Sequence, residues 1–396
     1  MASTRTSFYR YVGQTSPKPL ALEVTKAEGI YFFDPNGKKF IDLISGISVS
    51  SLGHGNPAII EAVQKQAAAY MHTMVYGEHI QQIQVDYAKL LCEQLPETLD
   101  NLFFTNSGTE ATEGAMKLAK KVTGRYEMVA CKDAYHGSTH GSQSLMSNEY
   151  YTEAYRPFLP GVKFIEFNNI DSLDLITDKT AAVFIEPVQG APGIRVATKE
   201  FIRALRARCT EVGTMLIFDE IQTGFGRTGK LFAFEHYQIV PDVLLMAKAM
   251  GGGMPIGGFV TSSKNMKSLS KDPILGYIST FGGHPVCVAA AMASLKLLLH
   301  NDLIQGVESK SRLFLGQLRH PQIKEIRYKG LLFAIDLGDA KKAAELSAYL
   351  FDKGVLIDCF LYNDKALRIA PPLIISEQEI TNVCSILKDG LDQLLV

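Results

Sequence analysis

Between about residues 57 and 299, the chain alternates short apolar runs with segments whose apolar residues recur at helical spacing. The runs are apolar throughout rather than at every second position, as in EMVAC (127–131), AAVFIEP (181–187), TMLIFD (214–219) and VLLMAK (243–248). Strands of this kind are buried on both faces, and their alternation with helices is typical of parallel pairing. We therefore predict a mostly parallel sheet that is covered by helices on both sides.

The two ends of the chain differ from this middle part. The segment FFDPNGKKFIDL (32–43) predicts a hairpin, because its Asn-Gly pair at 36–37 is a strong signal for a tight turn. Towards the C-terminus, the sequence predicts a strand over 331–337 and helices near 340–352 and 377–395. This mixture indicates a smaller α+β unit.

The length of the chain favours two domains, since 396 residues exceed what one compact core usually holds. We predict a large domain over residues 54–286 that carries the functional site, and a small domain formed by both termini, 1–53 and 287–396. The expected fold class is therefore α/β, with a mostly parallel, helix-covered sheet in the large domain and an α+β arrangement in the smaller one.

Composition argues against several classes of function. The formal net charge of −1 provides no basic excess for binding nucleic acid or an anionic membrane. No run approaches the ~20 apolar residues that cross a bilayer, and the N-terminal MASTRTSFYRYVGQ lacks the apolar core of a secretory signal. The six cysteines include no C-x-x-C pair, so we expect reduced thiols, no metal site and a cytoplasmic location.

The stretch LIFDEIQTGFGRTGKL (216–231) contains two nucleotide-binding motifs, and neither has the context that it needs. Its glycines match G-x-G-x-x-G, but the residues EIQT separate them from the preceding strand and no convincing helix follows. Residues 224–230 match most of a P-loop, but Leu231 stands where Ser or Thr would hold magnesium. We interpret the glycines as a loop near a ligand or as a surface turn.

Asp219 and Lys248 are more informative, because each ends a strand-like run and the two runs are neighbours along the chain. In an open parallel sheet, ligands bind at the carboxyl ends of the strands. A lone aspartate there could simply cap the next turn, but Lys248 lies among apolar residues just before three glycines. Burial would favour the neutral, nucleophilic form of this lysine. We therefore expect an acid and a reactive amine at one edge of the sheet.

An anion site and an aromatic surface are expected at the same edge. Ser107, Gly108 and Thr109 turn from a strand directly into a helix, whose free N–H groups and dipole attract anions. The same residues also fit a simple capping box, with Glu110 at the right offset. Tyr135 follows another strand and offers an aromatic face. Acid, amine, anion site and aromatic surface together match the needs of pyridoxal 5'-phosphate (PLP).

With these residues in view, the chain resembles the class III aminotransferases, PLP enzymes of fold type I that include acetylornithine, ornithine and 4-aminobutyrate aminotransferases. The resemblance covers nearly the whole chain and rests on several long motifs in the family's order. These are NSGTEATEGAMKLAK (106–120), YHGST (135–139), IEPVQG (185–190), FDEIQTGFGRTGK (218–230), MAKAMGGGMPIGG (246–258), STFGGHP (279–285) and LRIAPPL (367–373).

The resemblance implies a role for each residue around the cofactor. Lys248 would be the Schiff-base lysine that also moves a proton, and Asp219 would keep the cofactor's ring nitrogen protonated. The other implied contacts are Ser107, Gly108 and Thr109 with the phosphate, Tyr135 and Ile221 with the two ring faces, Gln222 with the phenolic oxygen, and Thr280 with the phosphate of the neighbouring subunit. The last contact implies a homodimer with shared active sites.

The resemblance also implies substrate contacts. Glu186 and Arg368 are similar to a gated pair in which the arginine binds a substrate carboxylate or swings to the glutamate. Relatives that act on acetylornithine, ornithine or 4-aminobutyrate usually carry a carboxylate-binding arginine where this chain has Ser138. Because serine cannot supply that charge, Ser138 argues against those donors, and His140 is a weak candidate to replace the arginine. For His136 we favour a packing role.

We therefore predict a PLP-dependent transaminase. It would move an amino group from an amine donor, either ornithine-, acetylornithine- or 4-aminobutyrate-like or another ω-amino compound, to an α-keto acid, with 2-oxoglutarate as the expected acceptor. An aminomutase or racemase on the same scaffold stays open as the alternative, because those enzymes reprotonate the same substrate and need no second keto acid.

Overall fold

A computed structural model describes residues 3–394 of the chain, and a seven-stranded sheet lies at its centre. In spatial order the strands are β4 (Asn101–Thr105), β12 (Gly257–Thr261), β11 (Val243–Met246), β10 (Met215–Asp219), β7 (Thr180–Ile185), β5 (Glu127–Cys131) and β6 (Val162–Ile165). Strand β12 is antiparallel to both of its neighbours, and all other pairs are parallel. The mostly parallel sheet predicted from the apolar runs is confirmed.

The central strands are buried on both faces because helices cover the sheet. Every residue of β5, β7, β10 and β11 is buried, which accounts for their unbroken apolar sequences. The helices are α1 (Thr4–Tyr11), α2 (Ser45–Ser48), α3 (Pro57–Ala69), α4 (Gln82–Cys92), α5 (Gly108–Thr123), α6 (His140–Gln143), α7 (Glu149–Thr152), α8 (Lys199–Val212), α9 (Ser263–Met266), α10 (Pro285–His300), α11 (Gly306–Gln317), α12 (Ala340–Asp352) and α13 (Glu377–Gln393). Within residues 3–394, none of these helices is long and apolar enough to cross a membrane.

Two four-stranded sheets lie outside the central one, together with a two-stranded sheet of β8 (Val188–Gln189) and β9 (Arg195–Val196). The first contains β1 (Lys26–Glu28), β2 (Tyr31–Phe33), β3 (Lys39–Asp42) and β15 (Val355–Leu356), and the second contains β13 (Glu325–Tyr328), β14 (Phe333–Asp336), β17 (Asn363–Ile369) and β16 (Asp358–Phe360). The predicted N-terminal hairpin is β2–β3, and β3 pairs in parallel with β15 from the far end of the chain. This pairing supports a small domain built from both termini, whose limits at 54 and 286 stay a prediction.

Several predicted elements end a few residues earlier in the structure than in the sequence analysis. Strand β11 stops at Met246, and Lys248 begins a short 3-10 turn, Lys248–Gly251, that leads into the glycine run. Helix α8 ends at Val212, and Gly213 follows it as a left-handed C-cap whose φ of 68° a side chain would disfavour. The predicted helix over 377–395 is α13, and its expected last residue, 395, lies outside the described residues.

Candidate active site

A cavity of about 970 Å³ opens at the carboxyl ends of the central strands. Strands β4, β5, β7, β10 and β11 all run in one direction, so the residues that follow them meet at one edge of the sheet. The predicted site residues that line the cavity are Ser107, Gly108, Thr109, Tyr135, Ser138, Glu186, Asp219, Ile221, Gln222, Lys248 and Arg368. The structure therefore brings together eleven of the twelve, and Thr280 is the exception.

Asp219 is the last residue of β10, and its buried carboxylate is held from two sides. Its Oδ1 accepts the backbone N–H of Ile221 at 3.0 Å, and its Oδ2 lies 2.8 Å from Nδ1 of His136. Both contacts orient the carboxylate within the cavity wall. The prediction that His136 only packs is therefore wrong, because its buried ring forms a hydrogen bond with Asp219.

The order of the strands contains a signal for this contact. His136 lies in the segment after the carboxyl end of β5, and Asp219 lies at the carboxyl end of β10. Both strands run in the same direction in one sheet. A polar side chain at a strand end of such a sheet is expected near the others.

Lys248 lines the cavity immediately after β11, where a φ of 46° turns the backbone out of the sheet. Burial lowers the pKa of its ammonium group, while the negative charges of Asp219 and Glu186 act in the opposite direction. The net lowering favours the neutral amine at a lower pH than in water. A lysine with this environment can act as a nucleophile and as a proton carrier.

The N-terminus of α5 forms one end of the cavity. The Ser107 side chain caps the helix by accepting the N–H of Glu110 at 3.3 Å, so both interpretations of this segment, cap and anion site, are compatible. Gly108 lies directly against Ile221, since an added Cβ would be 2.7 Å from the Ile221 Cδ1. A glycine at this position therefore lets the helix end approach the loop that follows Asp219.

The Thr109 hydroxyl takes part in a network that the sequence analysis did not identify. It lies 2.7 Å from the Thr139 hydroxyl and 2.6 Å from the Ser142 hydroxyl, and Thr139 donates to Glu113 at 2.6 Å. This network fixes the Thr109 side chain at the helix N-terminus. Thr139 belongs to the segment 135–139, but no spacing rule connects it with Thr109.

Glu186 follows β7 and lies buried beside the segment that carries Tyr135. Its two carboxylate oxygens accept the backbone N–H groups of Tyr135 at 3.1 Å and Gly190 at 3.2 Å. Burial raises the pKa of Glu186 to about 7, against the lowering effects of His136 and of these two N–H groups. Gly190 also leaves room for the amide of Gln222, with which a Cβ at that position would collide.

Arg368 lies on β17 and forms an ion pair different from the one that the resemblance implied. Its Nε is 3.5 Å from Oδ1 of Asp358, and its Nη2 donates to the carbonyl of Cys359 at 3.4 Å. Within residues 3–394, no ion pair joins Arg368 to Glu186. The two residues line the same cavity, so a gated pair between them stays a prediction.

The two residues next to the aromatic motif have different surroundings. Ser138 is exposed and lines the cavity. His140 points elsewhere, with its Nε2 2.6 Å from the carbonyl of Pro157 and its ring 5.0 Å from that of Phe158. Because His140 does not line the cavity, the weak suggestion that it replaces the missing arginine has no support in this structure.

Thr280 is exposed and does not line the cavity of its own chain. Its neighbour Ser279 is connected to the α5 end of the cavity, because the Asn106 amide donates to the Ser279 hydroxyl at 2.8 Å. The loop that carries Thr280 is therefore attached to the anion site, while the Thr280 side chain lies outside this chain's cavity.

The residues present fit PLP. A helix N-terminus is available for a phosphate, a carboxylate for a protonated ring nitrogen and a half-buried lysine for an aldehyde. The Nε2 atom of His136 is buried without a hydrogen-bond partner among the described residues, which leaves this ring free to interact with a further group. In residues 3–394, no group of three or more His, Cys, Asp or Glu side chains could hold a metal ion.

Comparisons with known proteins agree with this fit. The family model Aminotransferase class-III matches residues 12–391. The chain is 37% identical to the acetylornithine aminotransferase of Caldanaerobacter subterraneus subsp. tengcongensis, covering 94% of this chain and 95% of the relative. It is 34% identical to ornithine aminotransferase 1 of Staphylococcus aureus, covering 96% and 97%.

A solved structure of the ornithine aminotransferase from Toxoplasma gondii, described with partial occupancy of PLP at its active site, has a similar fold. It superimposes with a TM-score of 0.89 at 29% identity and covers 97% of this chain and 92% of its own. The family match spans far more than half of the chain. The chain thus belongs to the class III aminotransferases and is a PLP-dependent transaminase of fold type I.

Proposed function

We propose that the enzyme transfers an amino group from an ω-amino donor to an α-keto acid, with 2-oxoglutarate as the acceptor. The observation that carries this proposal is Arg368, whose guanidinium lies in the wall of the same cavity as Lys248 and Asp219. An arginine presents N–H groups in a planar fork that matches a carboxylate. An acceptor with a carboxylate next to its keto group fits this arrangement.

The positions of the residues around the cavity support a role for each of them in the proposed reaction. When bound, PLP withdraws electrons from the substrate carbon that loses a proton. Lys248, whose pKa is lowered by burial, is suited to take that proton and return it to a neighbouring atom. Asp219 would hold a proton on the ring nitrogen, and His136 would hold Asp219 in place.

The cavity also provides groups that would position the cofactor. The N-terminus of α5, with Ser107, Gly108 and Thr109, faces the cavity and would bind the phosphate. We propose that Tyr135 and Ile221 contact the two faces of the ring and that Gln222 contacts its phenolic oxygen. All three of these residues line the cavity.

The names of the relatives do not identify the donor. The relatives of comparable identity include the acetylornithine and ornithine aminotransferases and a [LysW]-aminoadipate semialdehyde/glutamate semialdehyde transaminase of Sulfolobus acidocaldarius, which is 36% identical over 93% of this chain and 95% of its own length. We propose a donor that needs no arginine at position 138, because Ser138 lines the cavity and carries no charge.

We further propose a homodimer in which Thr280 of each subunit completes the phosphate site of the other. Large apolar side chains are exposed on either side of Thr280 and in the segment around His72, whose ring lies 4.9 Å from the ring of Phe281. They are Met71, Met74, Ile80, Ile278 and Phe281. An exposed apolar patch of this kind is typical of a subunit interface. A cytoplasmic location stays a prediction, to be checked by cell fractionation.

A donor screen tests the proposal. Purified enzyme with added PLP is incubated with a panel of terminal amines, diamines, ω-amino acids and α-amino acids, and glutamate production from 2-oxoglutarate is measured. Product formation should require 2-oxoglutarate, and Lys248→Ala should abolish it while leaving the fold intact. Turnover of a donor without any keto acid would favour a mutase or racemase instead.

A further inference from the structure

The cavity wall contains an acid next to Arg368 that the motifs do not include. Asp358, in β16, is the cross-strand partner of Arg368 in β17, and its Oδ1 lies 3.5 Å from the arginine Nε. The side chain of Arg368 is only 8% exposed and that of Asp358 is 32% exposed. Both residues line the cavity, so the charge of Asp358 acts at the place where a substrate carboxylate would bind.

The contact between the two side chains leaves most of the guanidinium available. Neither Nε of Arg368 nor Oδ1 of Asp358 has a hydrogen-bond partner among the described residues, so the contact is a close approach of charges without a hydrogen bond. Within the described part of the chain, the only hydrogen bond of the guanidinium is the long one from Nη2 to the carbonyl of Cys359. The guanidinium carbon lies 4.9 Å from the centre of the Phe360 ring, which supports one face of the group.

We propose that Asp358 is a specificity-determining residue. Its negative charge offsets the positive charge of Arg368 and so weakens the binding of substrate carboxylates in the cavity. The inference rests on the function proposed above, in which Arg368 binds the carboxylate. A carboxylate on the free edge of the guanidinium is attracted by Arg368 and repelled by Asp358, since like charges at short range in a partly buried site oppose each other.

This arrangement has a consequence for the class of donor. An α-amino acid presents a carboxylate beside its reacting amine, and that carboxylate would meet an arginine whose charge is offset by Asp358. A terminal primary amine has only CH₂ groups beside the reacting amine and meets no such repulsion. Asp358 therefore favours donors that react through a terminal amine over donors that react through an α-amino group.

Binding of glutarate, a dicarboxylate that cannot be transaminated, tests the inference without turnover. Its affinity is measured by titration calorimetry for the PLP-loaded wild type, Asp358→Asn, Asp364→Asn and Arg368→Gln. Asp364 is the matched control, because it also lines the cavity but makes no ion pair with Arg368 among the described residues. We expect Asp358→Asn to bind glutarate roughly tenfold more tightly, as removal of a nearby like charge implies.

The remaining variants separate the possible outcomes. Asp364→Asn should stay within about twofold of the wild type, and Arg368→Gln should lose glutarate binding. Asp358→Asn should also lower the KM for 2-oxoglutarate while the KM for an amine donor without a carboxylate stays the same. If Asp358→Asn does not fold, Asp358→Ser is used in its place, because it also removes the negative charge.

Unchanged or weaker glutarate binding in Asp358→Asn, together with loss of binding in Arg368→Gln, would overturn the inference but leave the proposed role of Arg368 intact. Normal glutarate binding in Arg368→Gln would contradict the carboxylate site itself and with it this inference. If no donor yields glutamate but Asp358→Asn binds glutarate more tightly, the inference holds and the proposed acceptor is wrong.

Discussion

Nδ1 of His136 lies 2.8 Å from Oδ2 of Asp219, and both side chains are buried. Burial alone lowers the pKa of His136, but the hydrogen bond and the negative charge of Asp219 outweigh it, so that the pKa is raised overall. The imidazole therefore tends to carry a proton that it donates to the carboxylate. In this way His136 holds the Asp219 carboxylate in a fixed orientation.

The first prediction concerns this histidine as a positioning residue. A hydrogen bond to a charged group contributes about 1.5–3 kcal/mol, so His136→Ala should slow transamination by roughly 10- to 100-fold. His136→Asn, whose amide can donate from a similar position, should restore much of the rate. The measurements are kcat and the pH dependence of the absorbance of bound PLP. If His136 only packed against its neighbours, its replacement would leave this pH dependence unchanged.

A second histidine–aspartate pair, in which the aspartate is buried and the histidine is half-buried, provides the control. Nε2 of His54 lies 2.9 Å from Oδ2 of Asp42, and neither residue lines the cavity. His54→Ala should lower the melting temperature but leave the pH dependence of the PLP absorbance as in the wild type. The same spectral change in both alanine variants would contradict a specific role for His136.

The second prediction tests the charge of Asp219 itself. Asp219→Asn is nearly isosteric, so the protein should fold, but the ring nitrogen of the cofactor would lose its anionic partner. An electrostatic contribution of this kind is about 3–4 kcal/mol, which corresponds to a loss of about 10²–10³ in kcat. Single-turnover kinetics with the best donor provide the measurement. Near-normal turnover would mean that another group protonates the ring.

The central sheet and the two chemical residues at its edge were predictable because both depend on local patterns. Unbroken apolar runs identified the strands, and the residue that ends a parallel strand has a known position, so Asp219 and Lys248 were expected to meet. Asp219 is buried and both residues line the same cavity, in agreement with that reasoning. The exact ends of the strands were less predictable. Strand β11 stops two residues before Lys248 because the backbone turns out of the sheet there, and no change in polarity marks this position.

Contacts between side chains from distant segments could not be read from the sequence. The pairing of Asp358 with Arg368 depends on the antiparallel register of β16 and β17, which contains an irregularity at Cys359. The network of Thr109 with Thr139 depends on how the segment after β5 passes the N-terminus of α5. Sequence spacing determines neither, because each distance is set by the packing of two elements.

The third prediction is a pH dependence of stability that arises from Glu186. Burial raises its pKa to about 7 from an ordinary value of 4.5. Between these values the folded state keeps a proton that the unfolded chain has lost, so the stabilisation is fully present below about pH 4.5 and is lost as the pH rises through about 7. The loss amounts to at most ~3.5 kcal/mol, since each pH unit between these two pKa values contributes ~1.4 kcal/mol.

Glu186→Gln removes this titration. The melting temperature of the variant relative to the wild type should therefore increase from pH 5 to pH 8, as measured by calorimetric scans of both proteins. Glu220 is also buried with a pKa raised to about 7, but it is present in both proteins and its effect cancels in the difference. A constant difference across the pH range would refute the assignment to Glu186.

The fourth prediction concerns shared sites. If Thr280 donates a hydrogen bond to the phosphate in the neighbouring subunit, Thr280→Ala should weaken PLP retention by roughly tenfold or more, as loss of a hydrogen bond to a charged group implies. Mixing Thr280→Ala with inactive Lys248→Ala subunits should raise activity, because one site of each hybrid dimer then has both residues. An active monomer by light scattering, or no gain on mixing, would contradict the shared site.

The last prediction addresses the donor through Ser138, which is exposed at the cavity and carries no charge. A donor with a carboxylate at the far end, such as acetylornithine or 4-aminobutyrate, would find no cationic partner there, and His140 is turned towards Pro157. The wild type should therefore use both donors poorly. Ser138→Arg should raise kcat/KM for at least one of them by about tenfold, since a hydrogen-bonded ion pair contributes about 1.5–3 kcal/mol. Ser138→Gln, which is long but uncharged, is the matched control and should give no comparable gain. Wild-type turnover of acetylornithine as efficient as that of its best donor would refute the argument, because the site would then bind that carboxylate without an arginine at position 138.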